Sequence, residues 1–146
     1  MRSENYYRMM LGSKSVHAQT CRDGGFVGGD WGMDFDLTDQ LPENWRAFNR
    51  EMIPVFLEKH PGKSKVAAGL ACGMLHTICK GMLVGDILLC PDGQGYYFVG
   101  EVTSEYQYVP EGPLPHRRAV KWYSKTIDRS EMSQELKNST GAAGTI

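Results

Sequence analysis

GDILLC at 85–90, PDGQG at 91–95 and YYFVGEVTSEY at 96–106 follow one another without interruption, and together they spell a β-hairpin. Ile87 to Cys90 is an unbroken apolar run of strand length. Pro91-Asp92-Gly93-Gln94-Gly95 carries the residues that turns require, and Tyr96 to Tyr108 is a second, longer strand with a bend near Ser104. Beyond a proline-rich link, Arg118 to Tyr123 reads as a further strand. An edge strand over Gly141 to Ile146 and a short helix from Asp128 or Ser130 through Leu136 complete the C-terminal side.

Working back from the hairpin, the stretch before it is helical. Ser64 is placed to cap a helix that runs to Lys80 and stops at Gly81. Its small residues (Ala67, Ala68, Gly69, Ala71, Cys72 and Gly73) suit close packing against a sheet. Leu41 to His60 is a second helical segment, with Trp45, Phe48, Met52 and Phe56 at helical spacing and Pro42 in the first turn. Pro54 predicts a break in it. Asn5 to Leu11 reads as the opening strand, and Ser13 to Arg22 is a polar connection with room for a helical turn. Trp31, Met33, Phe35 and Leu37 alternate with Gly32, Asp34 and Asp36, which predicts a half-buried strand behind a glycine-rich approach. Five or six strands with two or three flanking helices imply a single α+β domain over residues 1–146, built on a small, curved, barrel-like mixed sheet.

Composition sets the outer limits. The chain has 146 residues, 41% of them hydrophobic, and a net charge of −1. That is enough apolar material for a packed core and too much for a disordered chain. No apolar run reaches membrane-spanning length, and MRSENYYRMM lacks the build of a secretory signal, so a cytoplasmic protein without membrane partners is expected. The four cysteines, Cys21, Cys72, Cys79 and Cys90, form no CxxC pair and read as reduced core thiols. Cys72, His76 and Cys79 share one helical stripe, but no fourth ligand is spaced to complete a zinc site. Neither metal nor cofactor is expected.

The charge is unevenly spread. Asp30, Asp34, Asp36, Asp39 and Glu43 stand together without a base, whereas Arg117, Arg118, Lys121, Lys125 and Arg129 face the single acid Asp128. A basic strip of this kind neutralises phosphates or forms an ordinary solvated strand face. Catalytic motifs are scarce. Pro91-Asp92 followed by Glu101-Val102-Thr103 imitates a metal-dependent nuclease pattern, with Thr103 where that pattern needs lysine. No GxSxG, Walker A loop or GxGxxG occurs, and none of the four histidines has an acid beside it that suggests a triad. A binding module is expected rather than an enzyme. Trp31 beside Asp30, with Tyr96, Tyr97, Tyr106, Tyr108, Trp122 and Tyr123 on later strands, could stack on a base and hydrogen-bond its amino group.

The hairpin followed by RRAVKW (117–122) resembles the pattern of EVE domains. There, a glycine-aspartate and an apolar strand precede a VGxAEV-like strand and a later basic strand ending near tryptophan. EVE domains belong with YTH domains to the PUA-like group. YYRMMLGS (6–13) and GFVGGDWG (25–32) sit where that group places its first strand and pocket wall. The chain also resembles the N-terminal reader of modification-dependent restriction endonucleases, in which a nuclease domain follows, and the ending NSTGAAGTI suits an excised reader.

The resemblance implies a domain that binds double-stranded DNA, flips a modified base into an aromatic pocket and directs a nuclease in the same or an associated chain. By position, Ser13, Asp30 and Trp31 would line the pocket and Cys90, Pro91 and Asp92 its rim. Lys14, Arg117, Arg118, Lys121 and Arg129 would hold phosphates. Only Trp31 matches one of the two tryptophans that wall the methyl-adenine cage of YTH domains, so a modified cytosine fits as well. An RNA-binding PUA-like domain, or a small-molecule or protein-interaction domain, are the alternatives.

Overall fold

The computed structural model describes residues 5–128 and 130; the expected C-terminal helix and edge strand lie outside them, as does Arg129. Strand β1 (Tyr6–Arg8) leads through a 3-10 turn (Ser13–Ser15) and helix α1 (Ala18–Gly24) to β2 (Phe26–Gly29). Helices α2 (Trp45–Lys59) and α3 (Lys65–His76) follow, the latter continued by a π turn (Thr77–Gly81). Strands β3 (Ile87–Pro91), β4 (Tyr96–Val102), β5 (Gln107–Tyr108) and β6 (His116–Asp128) complete the described chain. The strand order is β1-β3-β4-β6-β2, with β5 paired to β6 off this path. The expected α+β class and small mixed sheet are therefore present. No helix among the described residues is long and apolar enough to cross a membrane.

The chain divides into two compact units. Within the described residues, the first holds 5–27, 83–104 and 119–128, and the second holds 28–82 and 105–118.

In the first unit the hairpin forms as its sequence dictates. β3 and β4 pair antiparallel from Ile87 opposite Glu101 to Pro91 opposite Tyr97, while β1 pairs parallel with β3. A register shift at Phe98–Gly100 marks a bulge where β4 meets β6, and bulges of this kind raise the local twist. Gly100 is required there, because a side chain would overlap Val120. Leu89 and Tyr97 pack with Val99 and Ile127 on one face. Trp122 donates from Nε1 to the Cys21 carbonyl (3.0 Å) and sets its ring edge against Phe98, so it braces the sheet.

In the second unit α2 and α3 pack on each other through Phe48, Met52, Phe56, Ala68, Ala71, Cys72 and Leu75. Asn49 donates to the Gly69 carbonyl (3.3 Å), so the small residues of α3 admit a neighbouring helix where a sheet was expected. Ser64 caps α3 by accepting from Ala67 N (3.1 Å), as anticipated. The cap of α2 is Asn44, which accepts from Arg46 N (2.8 Å), and Pro42 therefore precedes the helix. The helix also runs through Pro54 without ending. The ring removes one donor, and its acceptor four residues back belongs to exposed Arg50, where water can replace it.

The expected strand over Trp31–Leu37 does not form. Met33 and Leu37 are fully buried while Asp34 and Asp36 are exposed, so the alternation reports burial faithfully. The backbone is instead folded into turns by short side chains. Asp30 accepts from Gly32 N (3.1 Å), and Asp36 accepts from the backbone (2.9 Å) and hydroxyl (2.6 Å) of Thr38. Those Thr38 bonds hold the Asp36 carboxyl below its ordinary value.

Candidate functional site

Left-handed backbone marks two corners of the molecule. Among the described residues, four non-glycines have positive φ: Lys14 (55°), Ser15 (60°), Trp31 (51°) and Leu114 (56°). Trp31 falls in GFVGGDWG (25–32), and Lys14 and Ser15 follow directly on YYRMMLGS (6–13). Such conformations cost energy and collect at functional sites.

The first corner belongs to the first unit. The turn at Ser13–Ser15 lies against the hairpin tip. A Cβ on Gly93 would sit 3.6 Å from Ser15 Cβ and 3.7 Å from the Lys14 carbonyl oxygen. Asp92 Oδ1 accepts from Gln94 N (2.7 Å) and Tyr96 N (3.1 Å), which holds the tip in shape. Ser13 and Lys14 are exposed, and Pro91 and Asp92 half-buried, so these four share one surface corner.

Cys90 does not belong to it. The residue is completely buried, and burial pushes its thiol far above the ordinary range, with Cys21 adding to the effect. Asp92 and Glu101 also stand apart. Glu101 pairs with Ile87 at the far end of the hairpin from Pro91, about 13 Å along the strand, so the two carboxylates cannot share one metal ion.

The second corner belongs to the second unit. Trp31 is half-buried, and a Cβ on Gly29 would overlap its six-membered ring, so the indole lies against bare backbone there. Asp30 beside it is exposed. Behind this segment runs a part-buried relay. His116 Nε2 donates to the Met33 carbonyl, which fixes the tautomer and leaves Nδ1 to accept from the Tyr106 hydroxyl (2.8 Å). Tyr106 Oη in turn accepts from Leu37 N (3.2 Å). The relay pins both ends of the 33–37 turn. Burial lowers the His116 pKa below its ordinary 6.5, although the Met33 bond and Asp30, Asp36 and Asp34 oppose that shift.

The expected basic strip is divided. Arg118 is completely buried and donates from Nη1 to the carbonyls of Ile78 (3.2 Å) and Met82 (2.6 Å). It is thus a structural cation at the end of the α3 helical run and cannot hold a phosphate. His116 is buried too, and so is no contact surface. Arg117 clamps its own loop, donating to Leu114 O (3.0 Å) and Pro113 O (2.7 Å). Lys121 and Lys125 are exposed on β6, with exposed Tyr123 between them at every second position.

The sequence carried a signal for the inward arginine. His116, Arg118 and Val120 share one strand face, and the apolar Val120 identifies that face as the inner one. The relay of Tyr106 and His116 had no such local sign, since its acceptor Met33 is 83 positions away.

All four cysteines are buried, and none is in a disulfide. Burial raises Cys72 to about 11 and Cys79 further, so both remain thiols. His76 Nε2 donates to the Pro42 carbonyl (2.8 Å), and among the described residues no three His, Cys, Asp or Glu side chains gather as metal ligands.

Fold and site together define an α+β protein with two strained polar corners and a part-buried tyrosine–histidine relay. Residues 7–146 match the family model described as Domain of unknown function (DUF8426), and the chain belongs to that family. No curated protein and no solved structure matches it.

Proposed function

We propose that this protein is a reader of modified DNA, in which Trp31 stacks on an extruded modified base and exposed lysines hold the phosphates. The observation that carries the reading is the left-handed backbone at Trp31, an uncommon conformation for a bulky aromatic residue. It coincides with a half-exposed indole, an adjacent carboxylate and a glycine that only a bare backbone can supply. Asp30 offers an acceptor for the exocyclic amino group of cytosine or adenine. The resemblance to EVE and YTH domains supports the same reading and implies a nuclease in the same or an associated chain.

The energetics assign different roles to the two features. Extruding a base costs a few kcal/mol, and stacking on one aromatic ring returns about 1–3 kcal/mol. Trp31 therefore supplies discrimination, and phosphate contacts supply much of the net affinity. Asp34 and Asp36 repel phosphate, which leaves that task to Lys14, Lys121 and Lys125.

The test is a titration of matched duplexes carrying cytosine, 5-methylcytosine, 5-hydroxymethylcytosine, adenine or N6-methyladenine, at low and physiological salt. A preference of about tenfold or more for one modified base is expected. Trp31→Ala is expected to erase that preference while binding to plain DNA persists. A preference that survives in the variant refutes the role of Trp31. Replacing Lys121 and Lys125 together by alanine is expected to weaken binding to all duplexes alike. It should also reduce the slope of log K against log salt by about 2, roughly one for each lysine. An unchanged slope returns β6 to ordinary solvated surface.

A further inference from the structure

We infer that the second unit carries a cleft for a small organic cation with an apolar body, such as an alkyl- or arylammonium. The cleft measures about 400 Å³ and lies where Thr38, Asp39, Leu41 and Pro42 run beside Ala47 and Glu51 of α2. A smaller hollow of about 180 Å³ shares Thr38 and Leu41 with it and is bounded by Cys79, Lys80, Glu105 and Tyr106. The larger volume alone falls in the range that takes small ligands.

The lining selects the charge. Leu41, Pro42 and Ala47 provide its apolar wall. Asp39 and Glu51 are the acids of the cleft, which no base lines; the smaller hollow beside it carries Glu105 and Lys80. Lys80 already pairs with Glu43 at 3.2 Å. The N-terminal end of α2 adds about half a positive charge, which the carboxylates outweigh. An anion would meet net repulsion here. An ammonium group would meet two carboxylates, which attract it. Neither Trp31 nor Asp30 lines this space, so the inference is separate from the base-reading proposal.

The experiment follows backbone amide shifts of the whole chain by NMR during titration with phenethylammonium, 2-phenylethanol or phenylacetate. Saturable shifts at Thr38, Leu41, Ala47 and Glu51 are expected for the cation. Affinity should fall by about tenfold for the alcohol, and phenylacetate should give no saturable shift. Leu41→Trp fills the cleft without altering charge, so loss of the cation's shifts in that variant separates a shaped site from diffuse attraction. Glu51→Gln, on an exposed position, is expected to weaken the cation by about threefold, and it decides the matter should Leu41→Trp not fold. Absence of saturable shifts, equal binding of phenylacetate, or unchanged binding by both variants overturns the inference. DNA discrimination is expected to be intact in Leu41→Trp.

Discussion

Replacing Arg118 by methionine is expected to cost the fold about 2–5 kcal/mol, whereas the same change at Lys121 should cost about 1 kcal/mol at most. The two residues are three positions apart on β6, and charge alone makes both members of a basic strip. Arg118 is fully buried, and its Nη1 serves the carbonyls of Ile78 and Met82 where the α3 helical run ends. Methionine fills much of the same volume but donates nothing, so two interior carbonyls lose a charged partner. Each lost partner costs about 1–3 kcal/mol. Lys121 is exposed opposite Glu101, and its loss removes at most a solvent-screened cross-strand pair. Urea unfolding of both variants, with unchanged m-values, measures the difference. Equal midpoints for the two would show that Arg118 is not the interior donor described here.

The second large effect is a fall in stability on mild acidification. His116 is neutral in the folded protein because burial lowers its pKa below 6.5, while in the unfolded chain it protonates near that value. Below pH 6.5 the unfolded state therefore binds more protons than the folded one. The contribution is complete well above pH 6.5 and is lost as pH falls towards the folded pKa, at no more than about 1.4 kcal/mol per pH unit. The structural consequence is specific. A proton on Nδ1 faces the Tyr106 oxygen and displaces the hydroxyl hydrogen that Nδ1 now accepts, which loosens the anchor on the 33–37 turn. His116→Gln retains a donor for Met33 and an acceptor for Tyr106 but does not titrate. Unfolding midpoints at pH 7.5 and 5.5, compared between wild type and this variant, isolate His116 from the other histidines and the carboxylates. Identical pH profiles would remove His116 as the titrating group.

Much of the fold was legible because its signals are local. The β3–β4 hairpin follows from an apolar run, a turn rich in glycine and a second apolar run. Ser64 and Gly81 bracket the α3 helical run because caps satisfy backbone groups within a few residues of themselves. The buried state of Met33 and Leu37 was visible in their spacing, although the backbone there is turned rather than extended. Asp30 and Asp36 bond to the chain two residues on, and those bonds override the strand that the alternation suggests. Helix α2 runs through Pro54 for a different reason, because the acceptor freed by the ring belongs to exposed Arg50. Position within the helix matters less than whether the freed carbonyl faces water.

Composition, the hairpin, the caps and the buried thiols were determined by the sequence itself, since each depends on neighbours a few positions apart or on the apolar content of the chain. Which carbonyls the inward Arg118 reaches, which ring nitrogen of His116 carries the proton, and which face of α3 meets α2 were decided only on folding. These outcomes join Arg118 to Ile78, His116 to Met33 and Asn49 to Gly69, pairs separated by 40, 83 and 20 positions. A buried polar group must find its partner wherever packing brings one, and no local pattern in the chain encodes that distance.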